Sequence, residues 1–195
     1  MPEILCLDFV STVTWDGTAM VRDDQIRGYG HLLDWLSERG ALPESALDQL
    51  REEAAADEEA RRRALGRAWA LRRALHDCFR AVLRREPLAE ASIALLNAAI
   101  TDAPPAFLLT RKADGIAFTM PVGPGPDPLQ PILRSALLLL SSPGLERLRE
   151  CAAERCGRLY LDHTKNHSRR WCDMGTCGNR AKARRYQARR RHPLP

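Results

Sequence analysis

Apolar residues recur along the first 140 positions mainly at spacings of three and four. The clearest case covers residues 58–85, where Ala64, Ala68, Leu71, Leu75, Cys78 and Val82 form one stripe, widened by Leu65, Trp69, Phe79 and Leu83. That spacing predicts a long amphipathic helix. Shorter stretches repeat it. Leu32, Leu33, Trp35 and Leu36 lie between Gly28 and Glu38, with Gly40 as the stop. Leu47 and Leu50 follow Pro43-Glu44 in a segment running to about Ala56. Residues 88–100, ended by Pro104-Pro105, and residues 132–140 complete the set. Proline suits a first helical turn and glycine a helix end. Cys78 sits on the long stripe and is read as core. His76 lies beside it and is read as a hydrogen-bonded histidine, not a ligand.

Other stretches lack that period. Ile4 to Val10 is a continuous apolar run bounded by Pro2 and Ser11-Thr12, which predicts a buried strand carrying Cys6 into the core. Residues 107–110 and 116–119 flank Lys112-Ala113-Asp114-Gly115, a hairpin signal. The first strand and this hairpin are expected to form one small sheet. Pro121 to Pro131 holds five prolines and two glycines and reads as irregular. Ser141 to Gly144 is a break, with Ser142 as N-cap of a helix delivering Cys151.

The 195 residues suit one domain of ordinary size plus a small module. No apolar run approaches the 18 residues of a membrane span; the longest candidate is Ala136 to Leu140. No apolar leader segment precedes Ile4, so a soluble, cytoplasmic protein without a membrane partner is expected. The net charge of +5 conceals an asymmetry: residues 158–195 hold 11 Lys/Arg against two Asp, residues 1–157 hold 19 against 23 Asp/Glu. A mildly acidic body with a strongly basic end is an electrostatic footprint for a polyanion.

The densest chemistry lies where the charge changes. Cys151 and Cys156 form one C-x4-C pair, and Cys172 and Cys177 form a second after fifteen intervening residues. Two such pairs suit one tetrahedral zinc ion with no open position, a structural metal. Disulfides are disfavoured in a reducing compartment. His163 and His167 lie between the pairs and could replace one thiolate, but the symmetric pairing of the cysteines favours reading them as solvated loop residues. Residues 158–162 are strand-like, residues 162–166 turn-like, and Ser168 to Cys172 returns. A helix from about Thr176 to Arg191 follows, in a treble-clef-like plan. Arg169, Arg170, Arg180, Lys182, Arg184, Arg185, Arg189 and Arg190 suit phosphates or guanine edges, and Asn179 suits adenine or a local hydrogen bond.

The run Cys151-x4-Cys156, then Ser168-Arg169-Arg170-Trp171-Cys172, then Cys177-Gly178-Asn179-Arg180, resembles the CGNR zinc finger. Upstream, Leu7-Asp8-Phe9-Val10 and Leu33-Asp34-Trp35-Leu36 resemble the start of the ABATE domain, which accompanies such fingers in proteins assigned to stress-induced transcription control. The resemblance implies one structural Zn²⁺ held by Cys151, Cys156, Cys172 and Cys177, and control of transcription.

The expected fold is α+β: a mainly helical domain over residues 1–140 with a small antiparallel sheet, able to fold alone, and a four-cysteine finger over residues 145–192. The sequence carries no G-x-G-x-x-G, Walker A or H-E-x-x-H pattern and singles out no catalytic residue. The leading expectation is a non-enzymatic DNA-binding regulator, nucleoid-associated when on DNA, whose first domain senses a small molecule or protein. A homodimer would strengthen binding by one small finger. The alternatives are an RNA-binding or ribosome-associated module, and an enzyme with an unrecognised site in residues 1–140.

Overall fold

The apolar run near the amino-terminal end is a helix, correcting the predicted strand: α1 spans Leu5–Val10. Cys6, Leu7, Phe9 and Val10 are buried while Asp8 points outward. That two-in, one-out, two-in rhythm fits 3.6 residues per turn and not the alternation of a strand. The computed structural model describes residues 4–15, 21–102, 108–112, 115–119, 126–154 and 156–191. Side chains are described for all of these except 21, 22, 102, 108–112, 115–119 and 188–191.

After α1 comes a two-stranded ribbon, β1 (Thr14–Trp15) with β2 (Val21–Arg22). The predicted helices then appear in order as α2 (Tyr29–Glu38), α3 (Glu44–Ala56), α4 (Glu58–Arg84) and α5 (Glu90–Asp102). Gly40 closes α2 at φ +56°, a left-handed conformation that favours glycine. Asp57 caps α4, its carboxylate accepting from the Ala60 amide at 2.9 Å. The hairpin is β3 (Leu108–Lys112) paired with β4 (Gly115–Thr119), in register from Leu108↔Thr119 to Lys112↔Gly115. Its loop residues 113–114, Phe107, Pro104-Pro105 and the first half of the proline-rich segment lie outside the described residues. The last helix of the body is α6 (Gln130–Leu140).

The single predicted sheet is not formed. The described strands make three separate two-stranded sheets, and the third contains β5 (Leu148–Glu150) and β6 (Leu159–Leu161). Ser142 does cap the next turn, accepting from the Gly144 amide at 3.1 Å. That turn is a short 3₁₀ stretch, Pro143–Arg147, and β5, not the predicted helix, leads into Cys151. Three residues of β5 were too few to show alternation in the sequence.

At about 1.5 Å per residue, the 27 residues of α4 extend roughly 40 Å. It packs against α1, α2, α3, α5 and β5. Leu71, Leu75 and Phe79 are its largest fully buried apolar side chains, in one cluster with Phe9, Trp15 and Ile132. Leu148, Leu159 and Leu161 of β5 and β6 belong to that cluster too, so the finger's hairpin and the helical body share a core. Cys6 and Cys78 are buried, as read from the sequence.

Polar groups pin the same interior. Arg72, buried in α4, donates to both oxygens of Asp24 at 2.5 and 2.8 Å and to the Thr12 hydroxyl at 2.8 Å. His76 stacks on Trp15 at 3.6 Å and 9°. Its Nδ1 lies 3.3 Å from Asp77, and its Nε2 is buried without a partner among the described residues, so it is hydrogen-bonded on one side only. Trp15 in turn presses on Gly157, which sits at φ +57°. Beside that glycine, Arg158 donates to the Ser11 carbonyl at 3.4 Å, and Arg80 approaches Glu150 at 3.8 Å.

Two outcomes follow from this interior. A Cβ at position 157 would lie 2.6 Å from both the Cβ and the carbonyl oxygen of Trp15. Gly157→Ala should therefore cost about 2 kcal/mol or more in chemical denaturation, through contact and backbone strain together. Gly66→Ala, which meets open space in α4, should be neutral or mildly stabilising. Burial holds the His76 imidazole down to about 4 from 6.5. As pH falls the unfolded chain takes up this proton first, so stability drops between about pH 6.5 and 4, by about 3 kcal/mol in all. In melting curves across that window, His76→Gln should show a shallower fall in Tm than the parent; equal slopes would exclude His76 as the source.

Candidate metal centre

The four cysteines reach one point from three pieces of chain. Cys151 follows β5, and its amide donates to the Arg158 carbonyl at 2.9 Å. The chain turns back at once, the Cys156 amide donating to the Ala153 carbonyl at 3.2 Å. The first C-x4-C pair thus forms the loop of the β5–β6 hairpin. The expected hairpin between residues 158–162 and 168–172 is absent, because β6 takes β5 as its partner. The returning segment instead bonds to the knuckle, where the Ala152 amide donates to the Arg170 carbonyl at 2.8 Å.

Loop residues 162–173 are ordered by side-chain oxygens. Asp162 is fully buried and accepts from the Thr164 amide (2.9 Å), the Thr164 hydroxyl (2.6 Å) and the Arg169 amide (3.0 Å). The Thr164 hydroxyl, helped by these amides, holds the Asp162 carboxyl below its ordinary pKa. Tyr160 donates from its hydroxyl to the Arg169 carbonyl at 2.6 Å. Asp173 then caps a π-type turn, Met174–Gly178, accepting from the Thr176 amide and hydroxyl at 2.7 and 2.8 Å. This turn carries Cys177, and α7 (Asn179–Arg191) starts after it, three residues later than the sequence suggested.

The ligand atoms of Cys151, Cys156, Cys172 and Cys177 all lie within 4.8 Å of one another. Three of the sulfur–sulfur separations are 3.6, 3.7 and 3.7 Å. A tetrahedron with zinc–sulfur bonds of about 2.3 Å has edges of about 3.8 Å, so the cluster fits one zinc ion. His163 and His167 are exposed and outside it. The sulfur contacts share protons unevenly: the Cys172 thiol holds Cys156 down to about 5, and the same bond pushes Cys172 up. This centre supplies one structural Zn²⁺ site with no position left for a substrate.

Four thiolates around Zn²⁺ leave negative charge in excess, and neighbouring donors offset it. The Cys172 amide points at Cys151 Sγ (3.4 Å) and the Arg180 guanidinium at Cys177 Sγ (3.2 Å). Arg169 donates to the carbonyls of Trp171 and Cys172 and lies over the Tyr160 ring at 4.6 Å. The Asn179 side-chain amide donates to the Gly175 carbonyl at 2.9 Å. Gly178 lets the Met174 sulfur lie against the backbone, 2.9 Å from where a Cβ would stand. Cys177 and Arg180 thus meet at the sulfur cluster, while Gly178 and Asn179 hold the turn that carries Cys177.

The other residues singled out as nucleic-acid contacts lie further out. Arg170 is exposed with its guanidinium 5.6 Å from the Trp171 ring. Arg184 is paired with Glu154 at 2.7 Å. Lys182 and Arg185 are exposed on α7. Arg189 and Arg190 belong to α7, with side chains outside the described set. Sequence reasoning missed Gly157, Tyr160, Asp162 and Asp173. The two aspartates did carry a signal, since each precedes a threonine by two or three residues, the spacing of Asx turns and caps.

Family comparisons agree with this geometry. Residues 147–190 match the CGNR zinc finger. Residues 3–143 match the ABATE family, described as "Putative stress-induced transcription regulator", and the chain belongs to that family. No curated protein matches the chain.

The centre makes the metal indispensable to the segment it ties. The purified chain should contain one zinc per molecule by atomic absorption, and Cys172→Ser should lose it. Structural zinc contributes an apparent free energy of about 10–16 kcal/mol in finger peptides. Chelation should therefore erase amide-exchange protection in the π-type turn and the 162–173 loop while α4 keeps its own. Protection of that loop surviving full zinc removal would contradict the assignment.

Proposed function

We propose that this zinc-binding member of the ABATE family is a DNA-binding transcription regulator. Its finger binds the duplex, and its helical body senses a small molecule or a protein. The carrying observation is that α7 leaves the metal centre with a nearly bare cationic surface. Residues 180 and 182–187 are exposed, and Arg180, Lys182, Arg184 and Arg185 are among them. A helix so poor in apolar residues gains little from packing on its own chain, so its sequence serves contacts outside it. Charge supports the reading, since residues 158–195 hold 11 Lys/Arg against two Asp. Guanidinium groups suit phosphates and guanine edges. The family's description supports transcription, and stress as its occasion. On this reading the body binds its ligand without turning it over, and the protein works on the nucleoid.

Not every basic residue serves equally. Arg169, Arg180 and Asn179 are engaged at the metal, and Arg184 with Glu154. Lys182 and Arg185, one turn apart on α7, are the strongest candidates for phosphate contact, with Arg170, Arg189 and Arg190 as further ones. A contact by Arg180 or Asn179 would have to displace a bond that steadies the site.

Duplex affinity should fall steeply with salt, each neutralised phosphate contributing about −0.9 to the slope of log K against log salt. Replacing Lys182 and Arg185 together by Ala should flatten the slope by roughly two units with zinc retained. An unchanged slope would make α7 a solvated face. Tighter binding to double-stranded RNA than to DNA at matched salt would move the assignment to RNA.

A further inference from the structure

A cavity of about 510 Å³ opens between α1, the turn joining α2 to α3, and α6. Its size is that of a small-molecule site. The wall mixes polar and apolar groups: Asp8, Arg39 and Arg134 line it together with Leu5, Ala41 and Pro131. Arg134 is the informative residue. Its Nε is sealed from solvent and meets no acceptor among the described residues. The cavity is therefore lined by the rest of this side chain, whose outer guanidinium nitrogens pair with no carboxylate among the described residues and are free to take an anionic acceptor.

The neighbouring charges narrow the choice. Arg39 is held in place over the Trp35 ring at 4.3 Å, with its Nε 4.0 Å from Asp8. Arg39 is answered by Asp8 and, at 3.5 Å, by Glu38, whereas Arg134 has no carboxylate partner among the described residues, so the wall has room for one negative charge and opposes two. A phosphate dianion would meet the Asp8 carboxylate, and a purely apolar ligand would leave Arg134 unanswered. The apolar share of the wall asks for a hydrocarbon portion. Burial pushes the Asp8 carboxyl up despite Arg39 and Arg158, as befits a wall partly withdrawn from water.

We infer that this cavity binds a small monocarboxylic acid with an apolar body, its carboxylate taken by Arg134 beside Arg39 and its hydrocarbon portion lying against Leu5, Ala41 and Pro131. The inference rests on reading the body as a sensor and names the ligand class for it. A route to the finger exists in α1. Its amino-terminal half lines the cavity, the Cys6 amide donates to Ser135 of α6 at 3.0 Å, and at its far end the Ser11 carbonyl accepts from Arg158, two residues beyond Cys156. A ligand that shifts α1 against α6 therefore acts on a helix bonded directly to the metal-binding hairpin.

The test is calorimetric titration of the zinc-loaded full chain with octanoate, and with 1-octanol and inorganic phosphate as body and head group alone. Octanoate should bind one per chain, about tenfold or more tighter than either partial probe, and Arg134→Gln should weaken it by about tenfold or more. Arg134→Lys should lie between, and Arg184→Gln, on α7, should bind as the parent does. In the unmodified protein octanoate should slow amide exchange in α1 and α6, a readout that does not depend on any variant folding. Absence of octanoate binding, tighter binding of octanol or phosphate, or affinity indifferent to Arg134→Gln would each overturn the inference. No nucleic acid enters these measurements. Octanoate binding without duplex affinity would sink the regulator reading alone, and duplex affinity without octanoate binding would sink this one alone.

Discussion

Four thiolates converging on one ion hold together a stretch of chain that has almost no interior of its own. Between β6 and α7 the apolar cover at the metal amounts to little more than Tyr160, Trp171 and the cysteines themselves. Apolar burial at about 25 cal/mol per Å² cannot order so small a cluster. The ion supplies what packing lacks, and the hydrogen bonds of Asp162, Tyr160 and Asp173 set the shape into which it ties the chain. Those bonds have value only once the loop is closed, because each orders a segment that would otherwise be free. The orientation of α7, and with it any use of its charges, depends on the sulfur cluster.

The finger is not a bead on a string. Its hairpin contributes Leu148, Leu159 and Leu161 to the cluster that contains Phe9, Trp15 and Leu75. Trp15 connects the halves through shape, since its backbone and Cβ leave room only for a glycine at position 157. Arg158 connects them through a hydrogen bond to the end of α1. The family matches divide the chain between residues 143 and 147, yet the division crosses a continuous apolar interior. Two sequence modules that share a core move as coupled bodies, and that is a physical precondition for one to report on the other.

How much of this was legible depended on whether the signal was local. The helices α2 to α5 were readable to within a residue or two because their periods, prolines and glycines act over four positions. The cysteine pairs were readable because metal geometry restricts spacing. The α1 segment was misread because a six-residue apolar run is compatible with a strand or a helix until its neighbours are known. For β5 the deciding fact was a partner strand nine residues away, beyond a knuckle whose closure depends on the metal. Asp162 illustrates the same limit: its turn with Thr164 is local, but its bond to the Arg169 amide exists only in the closed loop.

The arginines show why composition alone overstates a binding surface. Residues 158–195 carry 11 Lys/Arg, but they divide by what surrounds them. Arg158 faces the body, Arg169 and Arg180 answer carbonyls and a thiolate at the metal, and Arg184 meets Glu154. A cation already facing sulfur or a carboxylate has part of its field cancelled, so it would release fewer counterions from any polyanion it met. The charges left unpaired lie mainly along α7 beyond its first turn, where residues 182–187 are exposed. If the protein binds DNA as proposed, a short cationic helix on a metal base suits a backbone-following contact that positions the protein and reads few bases. Selectivity for a site would then come from the shape of the DNA, or from a second copy of the chain placing a second helix at a fixed distance.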